Sequence, residues 1–396
     1  MSRIKVLCII LVISIFFLTG CWDRTELNDL AIELGWGLDQ AKNNGIQISA
    51  QFIIPSKIGM GQSGRSEMGK TVFTESGTGK DTLEAVQKMQ TKLSREVFRG
   101  HRRVIVIGES LARKGLSPFL DTYSRDPDIR LRADALIVKG STAKKFLEAS
   151  YPLENIPALG ALKEHMQVGG MGDTSLLNFL IELMSDGITP TLPVIELIHG
   201  SKGQDQKSIK GFQMVGLAVF NKELKLVGFL NLEEDKIYLW LNNRLTKQTI
   251  TVTVPKEKGN ASLYMIKMKS KIIPFIQGNT IKYDIVLCGE GIIRENNTDL
   301  DLTQAKNLAL LEHLMEKRAE KQALQTIEKV QKQYGMDIFG LGEAIHQKYP
   351  SQWKVLKKNW ATQFQKAQVI VHADLTIRRV GLTGPSLQLK KNEIKK

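Results

Sequence analysis

Apolar and polar positions recur along this chain with two different periods, and the switches between them mark out its elements. Ala31 to Asp39 and Ile46 to Ile54 read as strands, joined through Asn43-Asn44-Gly45, a hairpin signal of the Asn-Gly kind. Pro55 stops the second strand, and the run GMGQSGRSEMG from Gly59 to Gly69 reads as a loop. Thr71 to Thr74 is extended. Asp81 to Leu93 carries Leu83, Val86, Met89 or Gln90, and Leu93 at helical spacing. Arg103 to Ile107 is a short buried-type strand with a helix following from Glu109. Leu131 to Val138 gives a further strand, and Ser141 to Ala149 a helix capped by Ser141. Ile156 to Met166 and Thr174 to Met184 are helical. This half mixes both element types in an α/β or α+β manner.

Ile188 to Lys210 breaks the pattern. Pro190 and Pro193 interrupt regular structure and SKGQDQKS reads as a polar connector, so the main boundary is placed near residue 200. Beyond it, Gly211 to Phe220 and Leu224 to Leu230 form a hairpin over Asn221-Lys222-Glu223, and Thr249 to Val254 alternates as a half-buried strand. Leu263 to Phe275 and Thr280 to Glu290 are two more strands. Asp301 to Tyr334 is a long helix with Leu308, Leu311, Met315, Ile327, Val330 and Tyr334 as its apolar stripe and charged residues from Glu316 to Lys321 on its other faces. Short helices over Leu341 to Tyr349 and Trp353 to Trp360 precede a long strand, Phe364 to Arg378. The predicted class is α+β and multi-domain: a mixed α/β region over 21–200, then a domain over 201–396 in which a long helix packs on an antiparallel sheet.

The first twenty residues stand outside this scheme. Arg3 and Lys5 open the chain, Val6 to Leu18 is apolar apart from Ser14, and Leu18-Thr19-Gly20 leads to Cys21. This is the layout of a secretory signal, and the run is shorter than the ~20 apolar residues of a spanning helix. Leu18-Thr19-Gly20-Cys21 resembles the lipobox of bacterial lipoproteins. It implies cleavage between Gly20 and Cys21 and a diacylglyceryl cysteine, with palmitate-type chains on the sulfur, since two chains anchor stably where one does not. No later segment is long and apolar enough to cross a bilayer.

About 376 residues then remain, room for two or three domains at ~100–200 residues each. The formal charge of +14 falls by two and stays basic. That fits anionic headgroups, wall polymers or plain solubility. Export and the lack of a recognisable motif argue against nucleic acid. Cys8 leaves with the signal and Cys21 carries lipid, so Cys288 is alone, without a disulfide partner and expected buried as a small apolar residue in its strand.

Candidate chemistry is sparse. Gly64-Arg65-Ser66-Glu67-Met68-Gly69-Lys70-Thr71 satisfies the P-loop pattern, but a nucleotide site needs a strand entering and a helix leaving. Here a glycine-serine loop enters and the β-branched TVFTES leaves, so nucleotide binding at Gly64, Gly69, Lys70 and Thr71 is rejected. No nucleophile elbow, zinc-protease motif or Cys-x-x-Cys is present, and His101, His165, His199, His313, His346 and His372 lack metal-ligand spacing and read as surface or supporting residues. No cofactor or metal is expected. Arg125, Asp126 and Arg130, around Pro127, form a dense charge cluster that reads either as a docking or ion-pair node or as a solvated loop.

Several short runs carry a resemblance by their order. They are Cys21-Trp22-Asp23-Arg24-Thr25-Glu26-Leu27-Asn28, Ala31-Ile32 with Gly37-Leu38-Asp39, Arg99-Gly100-His101-Arg102 through Gly108-Glu109, Arg125-Asp126-Pro127 with Arg130, and Asp337-Ile338-Phe339-Gly340-Leu341-Gly342 with Pro350 and Trp353. Together they resemble the Ger(x)C family, the C subunit of spore germinant receptors. The resemblance implies a non-enzymatic, lipid-anchored subunit of three packed α+β domains on the outer face of the spore inner membrane or cell membrane. Its partners would be the integral membrane A and B subunits, and it supplies no catalytic residues. Two other readings stay open on the residues alone: a solute-binding lipoprotein serving a transporter, and a wall-active hydrolase whose acid/base pair only geometry would reveal.

Overall fold

The computed structural model describes residues 29–54, 71–125, 131–154, 156–171, 174–200, 209–255, 259–278, 280–381 and 394. The signal segment, Gly20, Cys21, Gly64, Gly69, Lys70, Asp126 and Arg130 lie outside the described residues.

The chain begins with β1 (Leu30–Gln40), β2 (Ile46–Ile53), β3 (Val72–Gly79), α1 (Thr82–Gln90), β4 (Glu96–Phe98), β5 (Val104–Gly108), α2 (Glu109–Lys114) and α3 (Ser117–Arg125). It continues through β6 (Asp134–Lys139), α4 (Ala143–Glu148), α5 (Pro157–Gln167), α6 (Leu176–Met184), β7 (Thr191–His199), β8 (Ile209–Phe220) and β9 (Leu226–Asn231). These strands form one nine-stranded sheet in the order β3-β2-β1-β5-β6-β7-β8-β9, with β4 beside β1. β1, β5, β6 and β7 run parallel, while β2 and β3 on one side and β8 and β9 on the other are antiparallel.

Parallel strands covered on both faces need continuous apolar runs, and VIVIG and ALIV supply them. Ile105 and Ile107 join Trp36, Met89, Leu111 and Phe179 on one face. Val104, Val106, Leu136 and Val138 meet Phe146, Leu147, Ala158 and Ala161 of α4 and α5 on the other. The cap of α4 is Thr142, whose hydroxyl accepts from Lys145 N at 3.2 Å, and Ser141 lies one residue too early. Regular structure continues where Pro190 and Pro193 were expected to interrupt it: Thr191–His199 is a strand with Pro193 inside it, and the chain passes position 200 between two paired strands of one sheet. Proline is tolerated there next to a register shift at Val194/Ile195.

The rest comprises α7 (Leu232–Leu241), β10 (Gln248–Thr253), β11 (Asn260–Gln277), β12 (Thr280–Asn296), α8 (Ala305–Lys329), α9 (Leu341–Lys348), α10 (Pro350–Leu356), α11 (Trp360–Lys366) and β13 (Gln368–Arg379). The expected antiparallel arrangement holds for β10-β11-β12, but β13 pairs parallel to β12. A strand reached through a helical crossover returns in the same direction as the one it left. Residues 364–366 belong to α11, because Phe364 is fully buried from a helical position, so the last strand starts at Gln368.

α8 turns Leu311, Met315, Ala319, Ala323 and Ile327 into the core. Glu312, Glu316 and Glu320 recur every four residues on another face and do not simply meet solvent: they accept from the edge-strand amides of Ile377 (2.8 Å), Leu375 (3.1 Å) and Ala373 (3.2 Å). Carboxylates thus occupy donors that an open edge would offer to another chain. Cys288 is exposed, on the face opposite Tyr283, Ile285 and Leu287, which correct its expected burial.

α7 has no apolar period to read, since Ile237 to Leu241 are buried all round. Its start was legible: Asn231 and Glu234 form a capping box. Within it, Asp235 is buried and its Oδ1 has no hydrogen-bond partner. Burial pushes this carboxyl up to about 7. A folded-state value raised above 3.8 means that the folded chain holds the proton more tightly. The stability it contributes is complete below about pH 4 and is lost as pH rises through 7. Asp235→Asn is expected to raise stability at pH 8 by about 2–4 kcal/mol and change it little at pH 4. Urea midpoints at the two pH values check this.

Candidate functional site

The motif residues of the first half gather around the parallel strands and are mostly buried. Glu33 on β1 is fully enclosed, and Arg102, just before β5, meets it with Nε–Oε1 at 2.5 Å and Nη2–Oε2 at 3.2 Å. The guanidinium lies 4.1 Å from the Trp36 ring centroid and donates to the Tyr123 hydroxyl of α3 at 3.3 Å. An arginine placed between a carboxylate and an indole face satisfies both its charge and its plane. At the other end of β1, Asp39 accepts from Ala143 N at 2.8 Å and Lys144 N at 2.9 Å, closing the amino end of α4. Burial raises the pKa of this carboxyl while the two amides pull it down. Gly108 at the end of β5 makes room, because a Cβ there would fall 2.2 Å from Asp39 Oδ1. Glu109 accepts from Gly140 N at 2.8 Å. Gly37-Leu38-Asp39 and Gly108-Glu109 are therefore joints between the strand ends and the following loops.

The signature of the second half is a joint too. Asp337 is buried and accepts from Gly342 N (2.7 Å), Phe339 N and Leu341 N (3.1 Å each) and the Trp360 indole (3.0 Å). Burial pushes it up to about 6 against the pull of these donors. Its carbonyl accepts from Thr189 N at 2.7 Å, and Gly342 packs so closely that a Cβ would fall 2.8 Å from Gly187 Cα and 2.7 Å from Trp353. Gly187 and Thr189 precede β7, so the signature ties the second half to the sheet of the first. Arg244 donating to Glu182 (2.9 Å) and the Thr191 hydroxyl donating to that of Tyr238 (2.8 Å) hold the same junction. His165, expected as a surface or supporting residue, is buried nearby, and burial lowers it to about 4, so it is neutral at pH 7.

Arg125 is exposed at the end of α3 and pairs with Asp121 at 2.9 and 3.0 Å, an i, i+4 contact within its own helix. Thr71 leads into β3, an extended exit from the P-loop-like segment. Among the described residues no group of three or more His, Cys, Asp or Glu could hold a metal ion, and no helix is long and apolar enough to cross a membrane. A cleft of about 420 Å³ opens beyond the carboxyl end of β1, between Gln40, Ile46, Thr82, Leu111, Phe119 and Lys225. No sequence signal pointed to it, because its walls come from four segments far apart along the chain.

Two family models divide this chain between them: a spore germination protein N-terminal domain matches residues 23–197, and a spore germination B3/GerAC-like C-terminal domain matches residues 215–381. The chain belongs to the Ger(x)C family. The models part between β7 and β8, two strands that pair with each other. Spore germination protein KC of Bacillus subtilis (strain 168) is 29% identical over 96% of this chain and 97% of its own length. Spore germination protein B3 of the same organism is 25% identical over 93% and 96%. The crystal structure of the GerBC protein shares the fold, with a TM-score of 0.53 at 19% identity over 86% of this chain and 96% of that one.

Proposed function

We propose that this Ger(x)C protein is the lipid-anchored C subunit of a nutrient germinant receptor, working beside the integral membrane A and B subunits. The observation that carries the reading is the pair of family models, which together span nearly all of the chain after the expected signal. The lipobox ending at Cys21 supports attachment through a diacylglyceryl cysteine on the outer face of the spore inner membrane or cell membrane. The buried family motifs support a scaffolding role: Arg102, Asp39 and Asp337 build joints and are turned away from solvent. Enzymatic turnover is no part of the proposal.

Two measurements test it. Deleting the gene is expected to abolish germination with one nutrient set while vegetative growth continues, and unchanged germination with every nutrient would refute the receptor role. Cys21→Ala is expected to leave the protein unprocessed or to release it from the membrane fraction; wild-type distribution of that variant would refute the anchor.

A further inference from the structure

We propose that the amino-terminal edge of the parallel strands, together with the outer stripe of α6, is the face this protein lays against an anionic lipid bilayer. This rests on the lipid-anchor reading above and adds to it an orientation and a second, non-covalent contact.

The edge is defined by backbone pairing. β4 runs beside β1 with Leu30 opposite Glu96, which places Arg95 level with Asp29, where the described chain begins. Further along β1, Arg103 N donates to Leu34 O, five residues and about 16 Å beyond Asp29, and Asp134 N donates to Arg103 O, so the edge steps inward at β5 and β6. Leu176 N and Leu177 N then donate to the carbonyls of Ala133 and Leu131, so Arg132 adjoins the first turn of α6. Arg95, Arg103 and Arg132 are all exposed. Among the described residues the exposed acids there are Asp29, Glu96 and Asp186, the last paired with Lys357 at 2.8 Å, while Asp134 is engaged by Thr174 and Glu182 by Arg244.

α6 continues this edge with an apolar stripe. Leu177, Ile181 and Met184, at i, i+4 and i+7, are 37%, 57% and 85% exposed, whereas Leu176 and Phe179 fill the core. Glu182, which binds Arg244 of the second half, projects from a different side of the helix, so the second half does not cover the stripe. An exposed apolar helix face flanked by cations is the arrangement that inserts among headgroups, with arginine adding attraction to anionic lipid.

The length of chain ahead of this edge argues for lipid as the occupant. Cys21 stands eight positions ahead of Asp29, a reach of at most about 28 Å. A lipid on Cys21 therefore keeps Asp29 and the start of β1 within about 28 Å of the bilayer surface.

The test uses the whole mature chain, residues 21–396, with Cys21→Ser so that no lipid contributes. It is expected to co-sediment with vesicles of phosphatidylglycerol and phosphatidylcholine far more than with phosphatidylcholine alone, and to be released by salt. Arg103→Glu with Arg132→Glu is expected to weaken binding about tenfold or more, and Leu177→Ser, Ile181→Ser and Met184→Ser together to do the same. Circular dichroism and urea midpoints confirm that the variants fold. Equal binding to both vesicles, no binding, or binding unmoved by either set overturns the proposal. Defective germination of the α6 variant alongside absent vesicle binding would assign the stripe to a protein partner instead. Because this chain is unlipidated, failure here leaves the Cys21 reading to its own fractionation test.

Discussion

Arg102→Ala is expected to lower the unfolding free energy by about 3–5 kcal/mol, measured by urea denaturation of the chain from Trp22 onward. The substitution leaves Glu33, fully enclosed on β1, without its guanidinium. Burial already pushes that carboxyl above its ordinary range, and Arg102 is the main influence pulling it down. Without it Glu33 takes up a proton, so the variant is stabilised as pH falls from 7 towards 5, following the rule for a raised folded-state value. The Trp36 ring also loses the cation stacked 4.1 Å from its centroid. Replacing both partners, as Arg102→Met with Glu33→Leu, is expected to recover most of the loss, because two apolar groups of similar volume leave no buried charge. A loss under about 1 kcal/mol for Arg102→Ala would mean that the pair does not hold β1, β5 and α3 together.

Asp337→Ala is expected to cost about 4 kcal/mol or more, since three backbone amides and the Trp360 indole lose their acceptor in a buried place at about 1–3 kcal/mol per orphaned donor. The loss is expected to spread beyond the α9 loop. Asp337 O holds Thr189 N, and Gly342 stands against Gly187, so loosening this turn also loosens the junction between the two halves. Hydrogen exchange should show faster exchange at Phe339, Leu341, Gly342 and Thr189 together. Asp337→Asn, which keeps one acceptor oxygen, is expected to lose about half as much. Protection unchanged at Thr189 would restrict the role of Asp337 to its own turn.

Much of the secondary structure is legible in local pattern. The β1–β2 hairpin, the buried run of β5, α6 and the long helix α8 each carry a period or a turn signal that needs no partner to be recognised. The misses have common causes. The second half of α7, Ile237 to Leu241, is enclosed on every side and so shows no polar face, β4 is three residues long, and Thr142 rather than its neighbour Ser141 caps α4. The direction of β13 and the exposure of Cys288 depend on which strand and which face the crossover returns to, which local pattern does not specify.

The family motifs show the same division. Their order along the chain identified the family, yet their roles were invisible until Glu33 was seen against Arg102, Asp39 against Gly108, and Asp337 against Trp360. The cluster at Arg125 stood out by charge, but its described contact is an ordinary helical pair with Asp121. The joints carry no comparable local signal, because each of their members, taken singly, is a common residue.

The amino-acid sequence by itself determined the α+β class, most strands and helices, and membership of the Ger(x)C family, because periodicity, capping and motif order are properties of neighbours along the chain. Tertiary structure alone decided that one nine-stranded sheet passes through position 200, that α8 glutamates close the edge of β13, and that the exposed apolar stripe of α6 starts beside Arg132. Each of these brings together residues far apart in sequence, and such meetings are selected by burial and by the pairing of polar groups across the whole fold, which no local window contains.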